Sequence, residues 1–248
     1  MSRGEYEITH VHEDYLKAIY HLESQNERAT TTAIAEAMGV SPASATNMVK
    51  KLAELNLVHY TPYQGVRLTP AGRKIALEVI RHHRLVELYL AEALGISWDK
   101  VHEEADRLEH VISEELEEAM ARALGYPTVD PHGDPIPSPE GVLEDVPGPT
   151  LADIPLDMPA QITRVRCQQP EILRYLGSLG IYPGKRVIVR ERAPFEGPLL
   201  IEVEGTTHAL AHHVGKEIDV HLLDDDERAT APSTAEDSLE DNHGEDDR

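Results

Sequence analysis

The sequence predicts an α+β multidomain chain, mostly helical over its first two-thirds and β over its last third. Three observations carry that reading. Apolar residues recur at helical spacing from His12 to Leu124. A stretch dense in Pro and Gly, YPTVDPHGDPIPSPEGVLEDVPGPTL, then interrupts the pattern. From Pro159 to Leu223, helical ILRYLGSLGI is followed by short alternating runs, PGKRVIVRERA, PLLIEVEG, THALAHHV and EIDVHLL, as in a small barrel. A length of 248 residues allows two or three small domains.

The first segment, 1–72, reads as a winged helix-turn-helix. HEDYLKAIYHLESQN places Tyr15, Leu16, Ile19, Tyr20 and Leu22 at helical spacing. Ala33, Ile34, Ala37 and Met38 pattern a short helix that Gly39 can end in a left-handed turn. Ser41 can cap the next helix, with Pro42 at its first position and Ala45, Met48, Val49 and Leu52 as its apolar stripe. Helix, glycine turn, helix is the helix-turn-helix pattern. VHYTPYQGVRLTPAG then reads as a two-stranded wing turning near Gln64 and Gly65.

Three features of this segment point to double-stranded DNA. The second helix offers small polar groups at Ser41, Ser44, Thr46 and Asn47, beside Pro42. Lys50 and Lys51 follow in its C-terminal half. Arg67 stands in the wing, where a cation can meet a phosphate or a minor groove. The competing reading is a generic three-helix domain with a hairpin.

Segment 73–126 reads as a helical domain. Pro70 to Gly95 forms one long helix with too many apolar positions for a lone surface helix, which suggests a helical dimer interface. Trp98 to Leu124 reads as a second helix capped by Ser97. Segment 127–158 reads as a linker, 159–223 as the barrel, and 224–248 as a disordered acidic tail almost free of apolar residues.

Net charge is -22, which argues against a nucleic-acid binder until its placement is considered. Residues 1–80 hold 8 Lys and Arg against 9 Asp and Glu, so the acidic excess lies elsewhere. Such acidity with few lysines suggests a high-salt cytoplasm; an acidic partner-binding surface is the alternative. The single Cys167 excludes an intramolecular disulfide framework and reads as a buried structural thiol. No run approaches a transmembrane helix and no signal peptide is evident, so the expectation is a cytoplasmic protein without membrane attachment.

The stretch VHEEADRLEHVISEELEE raises the question of why an acidic helix carries two histidines. At about 100° per residue, His102, Asp106, Glu109 and His110 share an arc of about 100°. Val101, Ala105, Leu108, Ile112 and Leu116 would occupy the neighbouring buried arc. Carboxylates at a core edge need a cation partner. RHHRLVELYL places His83 and Glu87 on one face of the preceding helix. Two such faces can close around a divalent ion, and imidazole with carboxylate suits manganese, iron or zinc. In a chain with 14 histidines, chance surface pairs are the competing reading.

These stretches resemble the diphtheria toxin repressor family of metal-dependent transcriptional regulators. The matching residues are EDYLKAIYHL, the helix-turn-helix and wing, RHHRLVELYL, KVHEEADRLEHVISEELEE and HGDPIPSP. The likeness runs from His12 to Leu223, and the barrel looks like the family's SH3-like, ferrous-transport-A-like domain. The resemblance implies a homodimer that binds a palindromic operator when loaded with metal and represses metal-uptake genes. It implies a primary metal site of Asp14, Asp106, Glu109 and His110. It implies an ancillary site of His83, Glu87 and His102, with Gln169 or Glu171 of CQQPEIL as barrel ligands. The iron-responsive branch has methionine and cysteine where Asp14 and Asp106 stand; these harder oxygen ligands favour Mn(II), with Fe(II) the alternative. The manganese-responsive branch has glutamate where this chain has Lys17 and typically lacks the barrel, so the sequence mixes the two. A metal-storage or structural-metal protein and a metallohydrolase are the rival readings. No HEXXH or other catalytic pattern is present, so the chain is not expected to be an enzyme.

Overall fold

The structure is a computed structural model that describes residues 8–24, 29–62, 64–145 and 148–224. The expected acidic tail, apart from Asp224, lies outside the described residues.

Helix α1 (His10–Ser24) buries Tyr15, Leu16 and Ile19. Helix α2 (Thr31–Ala37) is capped by Thr30, whose side chain accepts from the Ala33 amide at 3.1 Å. Gly39 makes the turn with φ 63°, where a side chain would be strained. Ser41 then caps α3 (Pro42–Glu54), accepting from the Ser44 amide at 3.2 Å. Strands β1 (Val58–Thr61) and β2 (Gly65–Leu68) pair antiparallel as the wing, from Val58 opposite Leu68 to Thr61 opposite Gly65. Leu16, Ile19, Ile34, Leu52 and Val66 meet in one core that holds α1 against α2, α3 and the wing. Burying each such side chain contributes roughly 1.5–3 kcal/mol before chain entropy is counted.

Helix α4 (Pro70–Glu92) starts at Thr69, which accepts from the Gly72 amide at 3.1 Å. Its run from Val79 to Leu88 is buried on every side. That burial is met within one chain, by α1, by the two helices that follow and by the 135–137 backbone, rather than by a dimer partner.

The single helix expected from Trp98 to Leu124 is two. Helix α5 (Val101–Leu108) and helix α6 (Glu114–Ala123) are separated by a turn through Glu109–Ser113. Ser97 does not cap α5; Lys100 stands at the cap without a side-chain bond, and the Ser97 hydroxyl goes to Asp99. Ser113 caps α6 instead, accepting from the Leu116 amide at 3.3 Å. The break moves Leu108 and Leu116 out of the expected buried arc, and both are exposed, as are Leu94 and Val111.

Residues 127–158 are not an open linker. Asp130, His132, Asp134 and Ile136 are buried against the helical domain, and Leu151, Ala152 and Ile154 belong to the barrel core. Gly133, at φ 86°, lies so close to β3 (Pro159–Val165) that a Cβ would sit 2.0 Å from the Thr163 carbonyl oxygen. The Val165 amide donates to the His132 carbonyl at 2.8 Å across the same junction.

The C-terminal unit adds α7 (Pro170–Ser178), β4 (Arg186–Arg192), β5 (Leu199–Val203), β6 (Thr206–Leu210), α8 (His212–Gly215) and β7 (Ile218–Leu222). The sheet runs β6-β5-β4-β3-β7 with every pair antiparallel. Strand β3 adds to the four expected; its opening Pro159 disguises it. Trp98, from the helical region, inserts into this core beside Tyr182. Cys167 is half-buried and free rather than buried.

Candidate metal centre

The turn after α5 brings its last residues to α1. His110 Nε2 lies 2.8 Å from Asp14 Oδ1 and 3.4 Å from Glu109 Oε1. Three ligand-type atoms from two separate elements thus converge at Asp14, Glu109 and His110. The other His110 nitrogen, Nδ1, is 2.7 Å from Glu13 Oε2. A carboxylate there orients the ring and leaves Nε2 to face the cluster.

One turn further along, His83, Glu87 and His102 form a second set. His83 Nε2, Glu87 Oε1 and His102 Nδ1 stand 3.0 Å from one another on all three edges. Cis ligands of an octahedral ion with bonds of about 2.1 Å lie about 3.0 Å apart, so the triangle has the dimensions of a coordination face. His83 Nδ1 faces Glu109, so His83 joins the two sets. Burial alone would lower the His83 pKa, but hydrogen bonds to Glu109 and Glu87 outweigh it and push it up to about 9. Burial alone would raise Glu109 and Glu87. His83 and Lys17 hold Glu109 down instead, while His102, His132 and His83 hold Glu87 well below the usual carboxylate range.

Asp106 does not join Asp14, Glu109 and His110. Its Oδ1 is 3.4 Å from both Lys17 Nζ and His83 Nδ1, and its Oδ2 is 3.7 Å from His102 Nε2. Lys17 fills the space between, with Nζ 3.0 and 2.8 Å from the two Glu109 oxygens and 3.2 Å from His83 Nδ1.

A third set, Glu87, Asp130 and His132, was hidden in the stretch read as a linker. All three are buried and within ligand spacing of one another. His132 Nε2 donates to the Trp98 carbonyl oxygen at 2.9 Å, which leaves Nδ1 as the ring nitrogen that faces inward. Nδ1 faces Glu87 Oε2 at 3.8 Å. Glu87 Oε2, Asp130 Oδ2 and His132 Nδ1 are all buried without a hydrogen-bond partner. Leaving three such atoms unpaired is costly, and a divalent cation satisfies them together. Burial, then Asp134 and Glu87, pushes the Asp130 carboxyl up to about 8. The residues present therefore fit a resident metal. The sequence signal was Asp130-Pro131-His132, which leads into HGDPIPSP, a spacing that metal-ligand reasoning would have caught had the stretch been read as folded.

Residues 7–66 match the iron dependent repressor N-terminal DNA binding domain, residues 69–138 its metal binding and dimerisation domain, and residues 150–222 the FeoA domain. The chain is 31% identical over 224 residues to the iron-dependent repressor IdeR of Mycobacterium bovis, covering 84% of this chain and 97% of that protein. It belongs to the iron-dependent, diphtheria toxin repressor family. Among solved structures, a manganese-dependent transcriptional repressor in complex with manganese superposes with a TM-score of 0.77 at 36% identity, over 86% of this chain and 100% of that one. The crystal structure of T. acidophilum IdeR superposes at 0.68 and 30% identity, over 87% and 99%.

In this family member the barrel residues expected as ligands are elsewhere. Gln169 is exposed at the cap of α7, and Glu171 is exposed and paired with Arg174 at 3.1 Å. Helix α7 packs through Leu173 and Leu176 on the core that holds Trp98, and the barrel side chains Arg164 and Gln168 both meet Asp134. On the repressor's reading helix, Ser41, Pro42, Ser44, Asn47, Lys50 and Lys51 are exposed, as is Arg67 on β2. Thr46 is half-buried and spends its hydroxyl on the Pro42 carbonyl at 2.7 Å. Among the described residues, no helix is long and apolar enough to cross a membrane.

Proposed function

We propose that this chain is a metal-activated, DNA-binding transcriptional repressor acting as a cytoplasmic homodimer on operators of metal-uptake genes. The observation that carries the reading is the meeting of Asp14 on α1 with Glu109 and His110 after α5. Helix α1 packs on α2 and the wing as well as on α4, and α5 packs on α4. A divalent ion, when bound, supplies the charge that lets these carboxylates share one small volume. Asp14, Glu109 and His110 would hold it, and His83, Glu87 and His102, together with Asp130 and His132, would hold others.

The chain's own residues then set the geometry for DNA. Asp14 drawn to Glu109 fixes α1, and with it α3 and the wing, against the helical domain. In a dimer that fixes the separation and angle of the two reading helices. Exposed Leu94, Leu108, Val111 and Leu116 on the helical domain supply apolar surface suited to a second copy. Metal shifts the equilibrium only as far as it binds the DNA-competent arrangement better. We take Mn(II) as the activating ion because Asp14 and Asp106 are carboxylates and no thiolate is among the ligand sets; Fe(II) is the alternative.

The test is fluorescence anisotropy on promoter fragments of metal-uptake genes in high-KCl buffer. Titrations are run in chelator, with Mn(II), with anaerobic Fe(II) and with Zn(II). Fragment-selective binding only with metal, strongest with Mn(II), is the expected result. Equal binding with and without metal would remove the switch. Metal binding with no sequence-selective DNA binding would favour storage.

A further inference from the structure

The role of Lys17 goes beyond that reading, although it rests on the metal being bound where proposed. Its ammonium is an unusual object to find among metal ligands. It reaches three acceptor atoms at once, both Glu109 oxygens at 3.0 and 2.8 Å and Asp106 Oδ1 at 3.4 Å, and lies 3.2 Å from His83 Nδ1. Glu109 is buried, with a side chain only 1% exposed, so the ammonium satisfies a carboxylate that water cannot reach. Lys17 itself projects from α1, one helical turn beyond Asp14.

Glu109 belongs to the first ion set, while His83 and His102 of the second lie within ligand spacing of Asp106. A divalent ion bound to a Glu109 oxygen would lie within about 5 Å of Nζ, where like charges repel strongly in a partly buried site. Metal and ammonium therefore cannot both hold Glu109 closely. Lysine is suited to yielding, because its four-carbon stem lets the charge swing without moving the helix. Asp106, half-exposed and already 3.4 Å from Nζ, is the nearest place for it to go.

We propose that Lys17 is a tethered competitor for the activating metal: it occupies Glu109 and the space between the two ion sets until a divalent ion displaces it towards Asp106. In this role it does two things. It keeps the metal-free protein folded by neutralising carboxylates that would otherwise repel each other. It also raises the metal concentration at which Glu109 changes partners, and so sets the threshold of the switch.

The experiment is isothermal titration of the full-length chain with Mn(II), comparing wild type with Lys17→Gln, Lys17→Arg and Lys74→Gln. Lys74 is an exposed lysine on α4 outside the ligand sets and controls for net charge. Lys17→Gln is expected to tighten Mn(II) binding by about tenfold or more, while the melting temperature of its metal-free form falls. Lys17→Arg keeps the competing charge and should stay within about threefold of wild type, and Lys74→Gln within about twofold. If Lys17→Gln does not fold, Lys17→Met, which keeps the stem, takes its place. Unchanged or weaker Mn(II) binding on removing the charge would overturn the proposal, as would an equal gain in Lys74→Gln. Wild-type chain that binds no Mn(II) would overturn the metal reading and this one with it. Tighter Mn(II) binding by Lys17→Gln, with DNA binding indifferent to metal, would sink the repressor reading alone.

Discussion

His83 and Asp130 are the residues whose protons the metal must replace. The His83 pKa is pushed up to about 9 and the Asp130 pKa to about 8, so both hold protons at neutral pH in the metal-free protein. Each folded value lies above the unfolded one, about 6.5 for His and about 3.9 for Asp. Stability from His83 is therefore complete below about pH 6.5 and lost as pH rises through about 9; that from Asp130 is lost between about pH 4 and about 8. The metal-free protein should melt at progressively lower temperature from pH 6.5 to 9. Mn(II) binding should release protons at pH 7, seen as a titration heat that changes with the ionisation enthalpy of the buffer, and release fewer above pH 9. A heat independent of buffer at pH 7 would contradict these protonation states. Of these two residues, the histidine was legible in the sequence because Glu87 follows it by four positions on one helix. Asp130 was not, because Pro and Gly on either side signal a loop while saying nothing about whether the loop is buried.

At the scale of elements, local rules identified the segments that follow them. Ser41-Pro42, Gly39 and the apolar stripe of α3 mark the helix-turn-helix, and Thr69-Pro70 marks the start of α4. The α5 to α6 break went unread because Glu109–Ser113 contains neither Gly nor Pro. Its signal was weaker: Ser113 followed by Glu114, Glu115 and Glu117 is a helix start in the middle of a helical pattern. Continuous helical spacing grouped Asp106 with Glu109 and His110, and the Lys17 ammonium stands between Asp106 and Glu109. Ser113→Ala should cost about 1 kcal/mol by removing the cap. Because that cap also ends the turn holding Glu109 and His110, the variant should weaken Mn(II) binding as well as lower the melting temperature. A lower melting temperature with unchanged Mn(II) affinity would show that the turn is held by its packing alone.

At the scale of the whole molecule, the junction between helical domain and barrel is built from parts of both. Trp98 enters the barrel core, Asp134 meets Arg164 and Gln168, and Gly133 lies against β3. None of this was legible in the sequence, because contacts between distant segments leave no periodic trace. Gly133→Ala places a methyl 2.0 Å from the Thr163 carbonyl oxygen at a φ of 86°, so the backbone must move. That variant should lose about 2 kcal/mol or more and become cleavable by protease in the 139–145 stretch, at low enzyme and short times. Digestion indistinguishable from wild type would mean that the junction does not depend on this close approach.

The position of Trp98 has an optical consequence. It is the only tryptophan in the chain, and its indole stacks on the His132 ring at 5.6 Å between centroids. The chain therefore carries a single indole fluorophore, placed where the buried ion set meets the barrel. Its emission can follow the filling of that set, or the separation of the two units, in real time and without a dye.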